Sequence, residues 1–254
     1  MSLLKVEGLS KSFKGLQVLK NVSLDLQPGE RHVIIGPNGA GKTTLFNCIN
    51  GNLIPNEGRV IVKDRDVTKL PPNTRVPLGM ARTFQKNNLF GPLTVEENVH
   101  LAITATKPYR YGWFRPLAAY RDAMGEAERL LKEWNLWERR KRVVNELSYG
   151  EQRLLEILLA LASGPDILML DEPTSGMSPA ETAQTTKLIQ SLPRSISLLV
   201  IEHDMEVVFA IADRITVLHH GEVFMSGPPE VVKGDEKVRE IYFGGGALAH
   251  AGRS

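Results

Sequence analysis

A single cysteine, Cys48, in 254 residues leaves no intrachain disulfide to form. Set in a helix-like stretch, it reads as a buried thiol of a reducing compartment, with the cytosol as default. Charge of one sign is missing too. The 31 Lys plus Arg against 29 Asp plus Glu leave a formal charge of +2, which argues against a dedicated nucleic-acid binder. The longest apolar runs, such as Ile157–Ala162 and Val207–Ala212, fall far short of the ~20 residues that cross a bilayer. Met1-Ser2-Leu3-Leu4-Lys5-Val6-Glu7 has no basic region leading into an apolar run and a small-residue cleavage site, so no secretory signal is expected. No repeat of fixed period is visible. The length fits one large α/β unit, or one unit carrying a smaller subdomain, that buries roughly 70–75% of its extended-chain surface.

Leu4, Val6, Val18–Leu26 and Gly58–Val62 mix alternation with β-branched residues and predict short antiparallel strands in the first third. Arg31–Ile35 reads as a buried strand that runs into a glycine-rich turn and then a helix ending near Gly51. From about Val95 to Leu161 the apolar spacing is helical, notably in Ala127–Trp137, where Trp134 and Trp137 lie three apart, and in Leu154–Leu161. This stretch is expected to be an inserted helical subdomain, residues 95–161. Apolar runs at Asp166–Leu170, Leu198–Ile201 and Ile215–Leu218 alternate with helical patterns at Ala180–Leu192 and Met205–Ala212, which implies a parallel sheet. The small-residue ending sets the expected domain at residues 1–245 and a flexible tail at residues 246–254.

Gly36-Pro37-Asn38-Gly39-Ala40-Gly41-Lys42-Thr43-Thr44 is the strongest signal: glycine, four residues, then Gly-Lys-Thr, after a strand and opening a helix. Glycines let backbone N–H groups face a β-phosphate, and the helix N-terminus adds positive partial charge. Lys42 can bridge β and γ oxygens, and Thr43 can bind Mg²⁺. Ile167-Leu168-Met169-Leu170-Asp171-Glu172 is an apolar strand ending in two acids, where sheets place their ligands. Asp171 is expected to face the metal. Glu172 is placed to orient or deprotonate a water attacking the γ-phosphorus, which implies hydrolysis. Leu147-Ser148-Tyr149-Gly150-Glu151-Gln152 offers Ser148 as an N-cap and a second helix N-terminus as an anion site, although one nucleoside triphosphate needs only one such cradle.

With His203 in Val200-Ile201-Glu202-His203-Asp204, these motifs resemble the nucleotide-binding subunits of ABC transporters over nearly the whole chain. The resemblance implies an α/β fold of the P-loop NTPase cassette type. Its parts would be a mixed or parallel sheet, an N-terminal antiparallel β subdomain and an inserted helical subdomain. It implies ATP and Mg²⁺ as cofactors, with hydrolysis coupled to transmembrane transport. Phe13 corresponds to the aromatic that stacks on adenine, where tyrosine is commoner. Gly36, Asn38, Gly39, Ala40, Gly41, Lys42, Thr43 and Thr44 fall to the nucleotide; Thr43, Gln85 and Asp171 to the metal; Glu172 and His203 to catalysis, His203 at the γ-phosphate. Ser148, Gly150 and Glu151 would act in trans, closing over ATP held by a second protomer in a head-to-tail dimer.

The chain departs from the family's usual Ser-Gly-Gly-Gln at Tyr149 and Glu151, and from its frequent Ser-Ala-Leu-Asp at Ser175-Gly176-Met177-Ser178. Tyr149 must then point away from the nucleotide. Tyrosine at that place, Gly79–Gln85 followed by Leu89-Phe90, the long insert before Ser148, and the ending Val238–Gly244 resemble the branch serving branched-chain amino acid importers. That branch implies a homodimer or a paired second ATPase subunit, transmembrane permease subunits, indirectly a solute-binding protein, and no nucleic acid. The place would be peripheral, on the cytoplasmic face of the inner or cell membrane. The alternatives are a urea or short-amide importer, a lipopolysaccharide-export ABC ATPase and, from a different class, a soluble non-transport ABC ATPase, which would need a second cassette or a coiled coil. A GTPase or metabolite kinase lacks support: no Asn-Lys-x-Asp guanine motif is present, and such enzymes have no use for Ser148-Tyr149-Gly150. Lys107–Arg115 interleaves basic and aromatic residues and reads as a loop covering the helical subdomain; His219-His220 reads as a hairpin edge.

Overall fold

The structure, a computed structural model, describes residues 2–83, 89–105 and 121–243. Gln85, the basic-aromatic insert and the tail at 246–254 lie outside the described residues. Strands β1 (Leu4–Phe13), β2 (Leu16–Leu26) and β3 (Arg31–Ile35) lead to helix α1 (Lys42–Asn50). Strands β4 (Glu57–Val62) and β5 (Arg65–Asp66), the single turn α2 (Pro72–Arg75) and strand β6 (Met80–Arg82) follow. Next come helices α3 (Val95–Ala105), α4 (Arg121–Glu133) and α5 (Tyr149–Leu161), strand β7 (Ile167–Asp171) and helix α6 (Pro179–Ser191). Strand β8 (Ser197–Ile201), helix α7 (Met205–Ile211), strands β9 (Arg214–His219) and β10 (Glu222–Gly227), and helices α8 (Pro229–Gly234) and α9 (Glu236–Phe243) close the described chain.

The chain forms two units, one built from the residues up to Leu78 and from Pro193 onward, the other from Gly79–Leu192. In the first, β2-β1-β4-β5 make an antiparallel sheet whose register sets Leu4 opposite both Leu26 and Val62. Leu4 and Val6 of β1 are buried in alternation, and Leu9 is buried beyond a shift in register. These strands are longer than the short ones expected, because register shifts between Val6 and Leu9 and between Leu9 and Lys11 interrupt the alternation that would mark a continuous strand. In the same unit β3 lies between β8 and β9 and runs parallel to both. Strand β10 returns antiparallel on β9 through His220 and Gly221, both at positive φ (47° and 82°), which is the two-residue hairpin expected of His219-His220.

In the second unit β6 pairs parallel with β7, Met80 opposite Ile167. Helix α3 packs on α4 and α5, burying Val99, Ile103, Leu131, Leu155 and Leu158. Every residue of β3, β7 and β8 is buried, the mark of strands covered on both faces. One expectation fails. Trp134 and Trp137 do not share a helix, because α4 ends at Glu133 and Asn135 turns left-handed at φ 57°. Trp134 is buried, whereas Trp137 opens a short 3₁₀ turn, its ring facing the Arg140 guanidinium at 4.1 Å and the Lys132 ammonium at 5.1 Å.

Candidate functional site

The buried strand β3 delivers the chain to Gly36, where a Cβ atom would lie 2.2 Å from the carbonyl oxygen of Leu218 on β9, so no side chain fits. The Ala40 N–H donates to the Pro37 carbonyl (3.1 Å), and the Ala40 carbonyl accepts from the Gly221 N–H (3.1 Å), which ties the loop to the β9–β10 turn. Gly41 then caps α1 at φ 102° with no side-chain cap, and the first turn carries no acid. A helix start without an acidic cap suits an external anion. The Lys42 side chain is buried, and its ammonium donates to the carbonyls of Gly36 (2.6 Å) and Pro37 (3.1 Å). Asn38, Gly39 and Thr43 are exposed, and Thr44 is half-buried.

On the neighbouring strand, the Glu202 N–H donates to the Ile34 carbonyl (3.4 Å), so His203 follows β8 where the phosphate loop follows β3. Both therefore stand at the carboxyl ends of adjacent parallel strands, the usual place for ligands in α/β sheets. Glu202 is fully buried; its carboxylate accepts from the N–H groups of His203 (2.8 Å) and Asp204 (3.4 Å) and leaves the imidazole largely exposed. Phe13 ends β1 with its ring 42% exposed and the Lys11 ammonium 5.4 Å from its centroid, so a face is accessible for stacking.

In the second unit, Asp171 is fully buried at the end of β7. Its Oδ2 accepts from Arg82 Nη2 at 2.8 Å, while Oδ1 has no hydrogen-bond partner among the described residues. A bare carboxylate oxygen in a dry place is costly, and its chemistry suits a hard cation such as Mg²⁺. Glu172 follows at φ 48°, a left-handed conformation that is uncommon for a residue with a side chain.

Ser148 caps α5 in a full capping box: its hydroxyl accepts from the Glu151 N–H (3.2 Å), and its own N–H donates to the Glu151 carboxylate (3.0 Å). The N-cap expected of Ser148 is present, and the Glu151 carboxylate beside it pairs with Arg139 at 2.9 Å. Burial alone would raise the Glu151 carboxyl; the Ser148 N–H and the Arg139 guanidinium outweigh it and hold the group below its ordinary range. A Cβ at Gly150 would lie 2.3 Å from Glu181 Oε1, and one at Gly176 would lie 3.0 Å from Tyr149 Cε1. Tyr149 is otherwise exposed, turned toward Gly176. A polar cleft of about 820 Å³ opens beside Arg139, Arg142, Ser148, Gly150 and Glu151.

Residues 19–175 match the family model described as ABC transporter. The chain belongs to that family. It is 39% identical to the high-affinity branched-chain amino acid transport ATP-binding protein LivG of Escherichia coli (strain K12), over 95% of this chain and 98% of that protein. To BraF of Pseudomonas aeruginosa, of the same description, it is 37% identical over 95% and 98%. Among solved structures, an ATP-binding cassette of an ABC transporter in its ADP conformation superposes with a TM-score of 0.85 at 31% identity, covering 96% of this chain and 99% of that one. The expected α/β cassette fold is therefore present, and this ABC subunit is a nucleotide-binding ATPase.

Three residues of the ABC subunit's site escape motif reading. Arg82 holds the Asp171 carboxylate; Arg153 of α5 donates from Nη2 to the carbonyls of Asp171 and Glu172 (3.2 Å to the latter) and from Nη1 to Glu156 (2.6 Å). A signal did exist. Arg153 and Glu156 are opposite charges three apart at the head of an apolar helix, and both are buried.

Proposed function

We propose that this ATPase drives an importer of branched-chain amino acids. The observation that carries the reading is the 39% identity to LivG along nearly the full length of both chains. Phe13 stacks on the adenine of ATP, the loop Gly36, Asn38, Gly39, Ala40, Gly41, Lys42, Thr43 and Thr44 wraps the phosphates, and Thr43, Gln85 and Asp171 hold Mg²⁺. When bound, the metal held by these residues would supply positive charge against that of the phosphates. Glu172 orients and deprotonates the attacking water, and His203 meets the γ-phosphate. Ser148, Gly150 and Glu151 serve a nucleotide held by a second ATPase, either another copy or a paired subunit. The bare Oδ1 of Asp171 and the uncapped, acid-free start of α1 support these roles.

Work is delivered to permease subunits at the cytoplasmic face of the membrane, which a solute-binding protein supplies. No helix among the described residues is long and apolar enough to cross a membrane. A groove of about 440 Å³ lined by Leu89, Phe90, Leu101, Ala105 and Leu159 supports docking there: Phe90 and Leu101 are exposed apolar side chains that a permease segment would cover. Two measurements test the reading. Glu172→Gln is expected to bind ATP, stall turnover and elute as an ATP-stabilised dimer on size exclusion; wild-type hydrolysis would remove Glu172 as the base. Vesicles holding the assembled transporter should take up leucine only with ATP, and uptake of urea instead would overturn the substrate class.

A further inference from the structure

The end of β7 and the start of α5 meet at one guanidinium. Arg153 Nη2 donates to the carbonyl of Asp171 and to that of Glu172 at 3.2 Å, and its Nη1 donates to Glu156 Oε2 at 2.6 Å. Both side chains of the ion pair are only 7% exposed. In an extended strand, successive carbonyls point to opposite sides, and no single N–H group could serve two in a row. Here the chain has left the strand. Glu172 at φ 48° turns its carbonyl to the same side as that of Asp171, and Nη2 reaches both. The clamp and the left-handed backbone therefore occur together at one turn. Glu156 pairs with the guanidinium and helps to fix the plane of the fork.

We propose that Arg153 is a positioning residue for ATP hydrolysis: its two-carbonyl clamp holds the backbone from which the Glu172 carboxylate projects. The proposal rests on the reading of Glu172 as the base given above. Arg153 sits five residues after Ser148, so the helix that opens with the Ser148–Gly150 turn also carries the clamp. Glu156 lines the apolar groove, so the ion pair lies between the groove and the hydrolytic strand end.

The test is steady-state hydrolysis by the full-length protein, with kcat and KM determined separately and ADP binding measured alongside. Arg153→Lys keeps the charge but loses the planar fork. It is expected to lower kcat by roughly 10–100-fold, the scale of a misplaced reacting group, with KM and ADP affinity within about twofold of wild type. The double variant Arg153→Met/Glu156→Met replaces the ion pair by apolar chains of similar length, an exchange that folded proteins tolerate. It should melt within a few degrees of wild type and show the same kcat loss. A purely structural pair predicts otherwise: near-wild-type kcat in either folded variant, or KM and ADP affinity changing in step with kcat, would overturn the proposal. Glu172→Gln separates the two ideas. If it turns over normally, the reading of Glu172 fails; if it stalls while Arg153→Lys does not, only the positioning role is lost.

Discussion

The Lys42 ammonium rests on the carbonyls of Gly36 and Pro37, so an entering phosphate oxygen meets a cation already held over the loop. Lys42→Ala removes a charge-assisted donor worth about 1.5–3 kcal/mol. ATP affinity measured by calorimetry should fall by roughly 10–100-fold, and wild-type affinity would contradict the phosphate-loop role. Cys48 behaves as its sequence setting implies, buried in α1 with its thiol pushed up to about 11 by burial, and so protonated and unreactive at neutral pH. At this scale the sequence reveals residues that work within one short motif: Gly36 to Thr44, Asp171 with Glu172, and Ser148 with Gly150. Arg82 and Arg153 are different. Their partners lie 89 and 18 positions away, and only the folded chain brings a guanidinium to a carboxylate or carbonyl at that distance.

Among the elements, α1 shows how a helix that presents its N-terminus to phosphate is held at its other end. Gly51 turns left-handed at the C-cap, and Arg75, 1% exposed, donates to the carbonyls of Cys48 (3.2 Å), Ile49, Thr68 (3.3 Å) and Leu70 (2.9 Å). A cation at the carboxyl end complements the helix dipole and satisfies terminal carbonyls together. Burial lowers the Arg75 guanidinium to about 10, and it remains charged at neutral pH. Arg75→Ala should destabilise the protein by about 2–4 kcal/mol in urea unfolding, the cost of leaving several buried carbonyls without a donor. An effect below about 0.5 kcal/mol would show that water replaces the guanidinium freely. Elements with strong period were legible, including the helix over Ala180–Leu192 and the strand over Arg31–Ile35. Strand β6 was not, because three residues carry too little pattern, and the bulges in β1 concealed its length.

Acid stability is a property of the molecule as a whole, and His32 gives it a defined window. The imidazole is fully buried, its Nδ1–H donates to the Asp25 carbonyl (3.1 Å), and its Nε2 lies 2.7 Å from the Thr216 hydroxyl, which can donate to the neutral ring. Burial, followed by the charge of Arg214, lowers it from 6.5 to about 4. The unfolded chain therefore takes up this proton first. The stabilisation is complete above pH 6.5 and is lost as pH falls from there through about 4. Melting midpoints across that range should slope upward with pH, and His32→Gln should flatten the slope; an unchanged slope would assign it to the carboxylates. One further contact bears on the turn after β7. A methyl on residue 176 would stand 3.0 Å from Tyr149 Cε1, a contact that the exposed ring relieves by a small shift, whereas the left-handed backbone there (φ 77°) itself favours glycine. Position 176 is therefore kept small by its own main chain first and by its aromatic neighbour second.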